Sequence, residues 1–144
     1  MKKTVGSLAV LMLLLGAGVA VAAESPVGKW KPMDEKTGKV QSEVEIYEQG
    51  GKIFGKIVSL TEPLENGKPK TCAKCSGADK DKPVLGLVII KDMAPSGDRY
   101  KGGTITDPED GKVYKAEIWV EDGKLKVRGY IAFFYRTQTW PKAN

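Results

Sequence analysis

From Val40 to Gln49 the chain reads VQSEVEIYEQ, and Val40, Val44 and Ile46 share one face of an alternating pattern. A period of two marks a strand with one side buried. Gly50-Gly51 follows, and then KIFGKIVSL. A two-residue loop of this kind needs positive φ, which glycine adopts without strain, so the segment predicts a β-hairpin. Its register sets Val44 opposite Ile57 and Ile46 opposite Gly55 on one side, with Glu45 opposite Lys56 and Tyr47 opposite Phe54 on the other.

Downstream, KVYKAEIWV and KLKVRGYIA flank Asp122-Gly123, a strong hairpin signal. Pairing Glu121 with Lys124 puts Val120 opposite Leu125, Ile118 opposite Val127, Ala116 opposite Gly129 and Tyr114 opposite Ile131, a face that is entirely apolar or small. The reverse face holds Trp119 opposite Lys126 and Glu117 opposite Arg128, a cross-strand pair contributing about 0.2 to 1 kcal/mol. A one-residue slip would exchange the two faces, so the sorting supports the pairing.

Further strands are predicted at Val84–Ile90 (VLGLVII), Arg99–Thr106 and Tyr135–Trp140, with a short opening strand around Trp30. No segment carries a sustained helical stripe. The fold class is therefore all-β, an eight-stranded antiparallel up-and-down barrel, because closure removes the free edges of such a meander. A barrel of this size is filled by side chains or holds one small ligand. Gly55, Gly86 and Gly129 interrupt the strand patterns, either to let strands bend or to make room for a ligand. The expected wall residues of a ligand site are Val44, Ile46, Ile57, Leu87, Tyr114, Ile118, Val127 and Ile131. The same side chains would also fill a packed barrel, and the outward face around Trp119, Tyr47 and Phe54 would then be the interaction surface. Trp30, Tyr114 and Tyr130 are the aromatic candidates to line or cap a cavity, although the hairpin register turns Tyr130 outward.

The opening MKKTVGSLAVLMLLLGAGVAVAA has a basic start at Lys2 and Lys3, an apolar stretch from Leu8 to Leu15 and small residues at Ala20-Val21-Ala22. These are the parts of a secretory signal peptide over residues 1–23, leaving one barrel domain over residues 24–144. The competing reading is an uncleaved anchor, since Thr4 to Ala23 is just long enough to span a bilayer. No later segment is apolar enough to span. About 120 residues suffice for one core. Without Lys2 and Lys3 the chain has 21 basic against 18 acidic residues, too even a balance to point to nucleic acid. Histidine is absent, which removes Ser-His and Cys-His catalysis, imidazole base chemistry and nearly all zinc sites. Asp34, Asp107, Glu109 and Asp110 are the candidates for an acid/base pair or a calcium site, but turn geometry alone explains Asp107-Pro108 and Asp110-Gly111, and the spacing does not match an EF-hand loop. The expectation is no enzyme, no metal and no cofactor.

TCAKCSG holds the only two cysteines, Cys72 and Cys75. Haem attachment would need a histidine where Ser76 stands, and structural zinc would need two more ligands. A thioredoxin-type pair opens a helix, but SGADKDKP is turn chemistry. A structural disulfide in an exported loop is expected. A redox-active pair activated by Lys70 and Lys74, and a two-ligand site for a soft metal, stay open beside it. The surrounding stretch holds Lys68, Lys70, Lys74, Lys80 and Lys82 against Asp79 and Asp81, either a solvated loop or an attractor of anions.

GKW (Gly28 to Trp30) at the start, with YRTQTW at the end, resembles the lipocalin arrangement. That resemblance implies that Trp30 plugs the barrel base and that Arg136 packs across it. The motifs TGK, IYE, GKIFGKIV, CAKC, DKPVLGLVI, GGTITDPEDGKVY, LKVRGY and RTQTW, in this order, resemble a family of small secreted bacterial proteins called domain of unknown function 2147. The resemblance spans nearly the whole chain after residue 24. It implies a lipocalin-like barrel in the bacterial envelope and brings no catalytic residues. Two departures concern the rim: TITDP replaces a more usual aromatic before Asp-Pro, and Phe133-Phe134-Tyr135 makes the last turn bulkier.

The combined expectation is a monomeric, periplasmic or secreted bacterial protein that binds a small apolar or amphipathic molecule. The alternatives are an envelope interaction module with a packed barrel and a thiol oxidoreductase using Cys72 and Cys75.

Overall fold

The computed structural model describes residues 16–18 and 22–144, so the expected signal segment lies largely outside the described residues. Eight strands form one antiparallel sheet: β1 (Gly28–Trp30), β2 (Ser42–Gln49), β3 (Lys52–Leu60), β6 (Val88–Ser96), β7 (Arg99–Thr106), β8 (Val113–Glu121), β9 (Lys124–Ile131) and β10 (Phe134–Trp140). Each pairs with the next in sequence. A separate small hairpin, β4 (Leu64–Glu65) with β5 (Lys68–Pro69), sits in the long connection between β3 and β6.

The sheet curls until its first strand meets the chain just past its last. Trp30 bridges Lys142, the Lys31 N–H donates to the Pro141 carbonyl at 2.8 Å, and the Ala143 N–H donates to Lys29 at 2.9 Å. The architecture is thus the all-β, eight-stranded antiparallel barrel-like form that the pattern predicts. Among the described residues, no helix is long and apolar enough to cross a membrane.

Both predicted hairpins have the expected register. Val44 faces Ile57, Ile46 faces Gly55 and Tyr47 faces Phe54; Ile118 faces Val127, Ala116 faces Gly129 and Glu117 faces Arg128. The second ladder ends at Lys115 opposite Tyr130, one position short of Tyr114 and Ile131.

The predicted strand over Val84–Ile90 needs correction. The chain turns at Gly86, where φ is +89°, and the strand begins only at Val88, continuing to Ser96. Val84 and Leu87 are buried all the same, because the crossover tucks them under the barrel end. The β4–β5 hairpin has a clear cause, Asn66-Gly67 with φ of +52° and +75°, a primed-turn dipeptide that the sequence reading passed over.

Alternation of the strands gives the barrel two ends. The turns after β2, β6 and β8, and both ends of the barrel chain, lie at one end, termed the base. The connections after β1, β3, β7 and β9 lie at the other, termed the rim.

The middle is filled. Val44 and Ile118 expose none of their surface, and Ile46, Ile57, Leu87 and Val127 expose 1 to 3%. A water-sized void beside Val44 or Ile118 would leave accessible area on its lining atoms, and neither has any. Gly55 is part of this packing, since a Cβ there would lie 2.9 Å from Ile46 Cδ1 and 3.1 Å from Ile90 Cβ.

Candidate functional site

At the base, Trp30 and Trp140 are buried beside Leu125 in the same core cluster. The Trp30 Nε1–H donates to the Pro26 carbonyl at 2.8 Å, and the Trp140 Nε1–H donates to Gln138 Oε1 at 3.0 Å. Each buried indole therefore has its polar atom satisfied. The cation nearest Trp30 is Lys142, whose Nζ lies 6.0 Å from the ring centroid. Arg136, expected there, instead pairs with Glu35. The reason is strand direction: β10 runs from rim to base, so Arg136 sits a full turn of pleats before Trp140.

At the rim, the crossover from β3 to β6 covers one half of the opening. Cys72 and Cys75 form a disulfide, and both are buried, at 0% and 4% exposure. The Cys72 N–H donates to the Lys82 carbonyl at 2.8 Å, and Cys75 packs against the β7–β8 turn. Gly111 in that turn has φ of +71°, and a Cβ there would run into the Lys74 carbonyl. The turn carboxylates serve the backbone: Asp34 Oδ1 accepts from Lys36 and Thr37 N–H, Asp107 Oδ1 from Glu109 N–H, and Asp110 Oδ1 from Lys112 N–H. The two N–H bonds hold the Asp34 carboxyl below its ordinary pKa. Tyr114 donates its hydroxyl to Asp110 Oδ2 at 3.1 Å, and burial followed by that bond pushes its pKa up.

Six of the eight expected wall residues fill the barrel: Val44, Ile46, Ile57, Leu87, Ile118 and Val127. Tyr114 and Ile131 lie toward the rim and stay half-buried. The structure thus brings the predicted set onto one interior face and packs most of it against itself.

Concave surface is found outside. A cleft of about 440 Å³ lies between the crossover and the outer face of β2, β3 and β6. Its floor includes Tyr47 and Phe54, stacked at 5.9 Å, and its far wall includes Leu85 and Val88. Lys82 and Lys91 stand at its margin, both donating to Asp79, at 3.3 and 2.8 Å. The Lys91 bond is the main reason that the Asp79 carboxyl titrates below its ordinary value. This one carboxylate anchors the lysine-rich crossover to the outer wall of the barrel.

A second cleft of about 430 Å³ lies on the outer wall of β7, β8 and β9, lined by Lys101, Lys115, Glu117 and Tyr130 among others. Glu117 is nearly buried although it faces outward. Its Oε1 accepts from Arg99 Nη1 at 2.5 Å and from Arg128 Nη1 at 3.5 Å, and Lys101 Nζ is 3.7 Å from Oε2. The two guanidinium groups also cover Trp119, at 3.8 and 5.0 Å from its ring, so that this indole is only 9% exposed. Burial by itself raises the Glu117 pKa. Hydrogen bonds from Tyr130 and Arg99 and the charges of Arg99 and Lys101 outweigh it and hold the carboxyl below its ordinary 4.5.

The sequence reading paired Glu117 with Arg128 but missed Arg99. A bulge between Tyr100 and Gly103 shifts the β7 register, and no pattern in the sequence located it.

A meandering antiparallel sheet curled onto itself, with a buried G-x-W tryptophan on its first strand, is the build of a lipocalin-like barrel. The chain belongs to the family described as "Uncharacterized protein conserved in bacteria (DUF2147)", whose model matches residues 28–142. Among solved structures it is similar to protein HP1028 from the human pathogen Helicobacter pylori, described as belonging to the lipocalin family. That match has a TM-score of 0.70 at 21% identity and covers 83% of this chain and 84% of the other, which establishes the shared fold. No curated protein matches the sequence.

Proposed function

We propose that this is an exported, non-catalytic binding protein of the bacterial envelope, whose packed barrel is a scaffold and whose ligand sits on the outer wall. The observation that carries this reading is the contrast between the filled interior and the cleft of about 440 Å³ beside the Tyr47–Phe54 stack. Its volume falls within the range of roughly 300 to 1,000 Å³ typical of small-molecule sites. Tyr47, Phe54, Leu85 and Val88 offer an apolar bed, and two lysines against the single Asp79 carboxylate leave net positive charge at the margin. A small amphipathic molecule with an apolar body and an anionic head fits that chemistry. Absence of histidine and burial of both disulfide sulfurs support a binding role over a catalytic one.

Native mass spectrometry of the protein recovered from its own periplasm tests the proposal. A retained small molecule is expected, and Leu85→Asp, which places a charge on an exposed part of the bed, is expected to lower its occupancy about tenfold or more. A ligand retained equally by Leu85→Asp but lost on enlarging Val127 would move the site inside the barrel and defeat the reading. A wild-type protein that carries nothing would do the same.

A further inference from the structure

The β9–β10 corner presents the least protected apolar surface of the described residues. Phe133 at its turn is fully exposed, and Phe134 and Tyr135 expose 63% and 56%. These rings contribute nothing to the core, and they line neither outer cleft. Beside the tip the chemistry changes in an ordered way. Tyr135 is the cross-strand partner of Tyr130, the two rings meeting edge to face at 6.2 Å, and Tyr130 is in turn the partner of Lys115. Three adjacent strands therefore carry, side by side, exposed phenylalanines with a tyrosine, a second tyrosine, and a lysine.

The lysine end opens into the second outer cleft, where Thr104 stands opposite Lys115 and Lys101 also lines the wall. Glu117 is already held by Arg99 and Arg128 with Lys101 at 3.7 Å, and among the described residues Lys115 has no ion-pair partner. Arg128 lies over the Tyr135 ring at 4.0 Å, which adds a further cation between the cleft and the tip. The cleft wall is thus basic, with Arg99, Lys101, Lys115 and Arg128 around Glu117, while the β7–β8 turn at the rim holds Asp107, Glu109 and Asp110 against Lys112.

We propose that this corner docks the protein on a membrane surface containing anionic lipid. Phe133 and Phe134 enter the acyl boundary, Tyr130 and Tyr135 lie at headgroup depth, and Lys101 and Lys115 meet lipid phosphates. That sequence of apolar ring, amphipathic ring and cation is the order in which a bilayer interface accepts side chains. Charge complementarity selects an anionic bilayer over a second copy of this chain, whose matching corner would bring the same cations together.

Co-sedimentation with vesicles tests the proposal, using phosphatidylcholine alone and phosphatidylcholine mixed with phosphatidylglycerol. The protein is expected to partition onto the anionic vesicles. Phe133→Ser with Phe134→Ser is expected to weaken that partition about tenfold or more. Lys101→Gln with Lys115→Gln is expected to remove the preference for the anionic vesicles while leaving residual binding. All variants share the same N-terminus, so differences among them report on the corner alone. The positions substituted are exposed, and an unchanged urea midpoint confirms that the fold is intact. Equal partition of wild type and the double serine variant overturns the proposal. So does a wild-type protein that ignores both vesicle types, or one that light scattering shows to be a dimer dissolved by the serine substitutions.

Discussion

At the base, Trp30 and Trp140 are buried with their ring nitrogens hydrogen-bonded to Pro26 and Gln138. At the rim, Phe133, Phe134 and Tyr135 project from a turn into solvent. Two of the chain's three tryptophans thus sit at one end and two of its three phenylalanines at the other. The buried rings stabilise the closed sheet. The exposed ones offer no such gain, so their use lies in what they touch. The rim itself repeats the division: the disulfide crossover covers one half and is anchored by Gly111 and Asp79, while the β9–β10 half is left bare.

The base and the bare corner should differ most in what a substitution costs. Trp30→Ala should cost about 3 to 5 kcal/mol by loss of burial and creation of a cavity, read as a fall in the urea midpoint. Phe133→Ser should stay within about 0.5 kcal/mol of wild type. Similar effects at the two sites would dissolve the distinction. Next in size is the covered half of the rim, where Gly111→Ala combines a left-handed backbone with collision against the Lys74 carbonyl. A loss of about 2 to 3 kcal/mol is expected, accompanied by faster hydrogen exchange at Cys72 and Cys75. A neutral result would mean that the crossover is not clamped by this turn.

The smallest effect concerns the outer wall near the bare half. Glu117 has a folded-state pKa depressed below 4.5, so the folded protein holds this carboxylate ionised more strongly than the unfolded chain does. Its contribution is present at neutral pH and is lost as the pH falls from the ordinary carboxylate range through the folded value. Glu117→Gln should cost about 1 to 2 kcal/mol at pH 7, since its bonds to two partly exposed arginines are charge-assisted. It should also flatten the decline in urea midpoint between neutral and acid pH. Asp79 and Asp34, likewise depressed, would keep part of that slope. An unchanged acid limb would show that the Arg99–Glu117–Arg128 cluster is not coupled to folding.

The fold was legible wherever one face of a strand is buried and a two-residue turn sets the register. Gly50-Gly51 and Asp122-Gly123 each fix a ladder, and the alternation of apolar and polar residues decides which side faces in. Local rules lose force where the chain leaves the ladder. The run VLGLVII looks like one strand, yet only tertiary burial separates the loop part, Val84 to Leu87, from the strand beginning at Val88. The interior was legible as a list of side chains, but whether Val44, Ile118 and Val127 would line a hollow or fill it depends on barrel radius, which no local pattern encodes. The outer clefts were harder still. They arise where a crossover folds back onto β6 and where a bulge re-aims Arg99, both contacts between residues distant in sequence.

The closing contacts of the barrel join Lys29, Trp30 and Lys31 to Pro141, Lys142 and Ala143. Every other main-sheet ladder links strands adjacent in the meander, so these are the pairings with the greatest loop to close, and they form only after all eight strands have been synthesised. Until then the emerging polypeptide carries two unpaired strand borders, each a template for a neighbouring molecule. Removing residues 141–144 would leave that hazard permanent, turning a closed barrel into a chain inclined to polymerise.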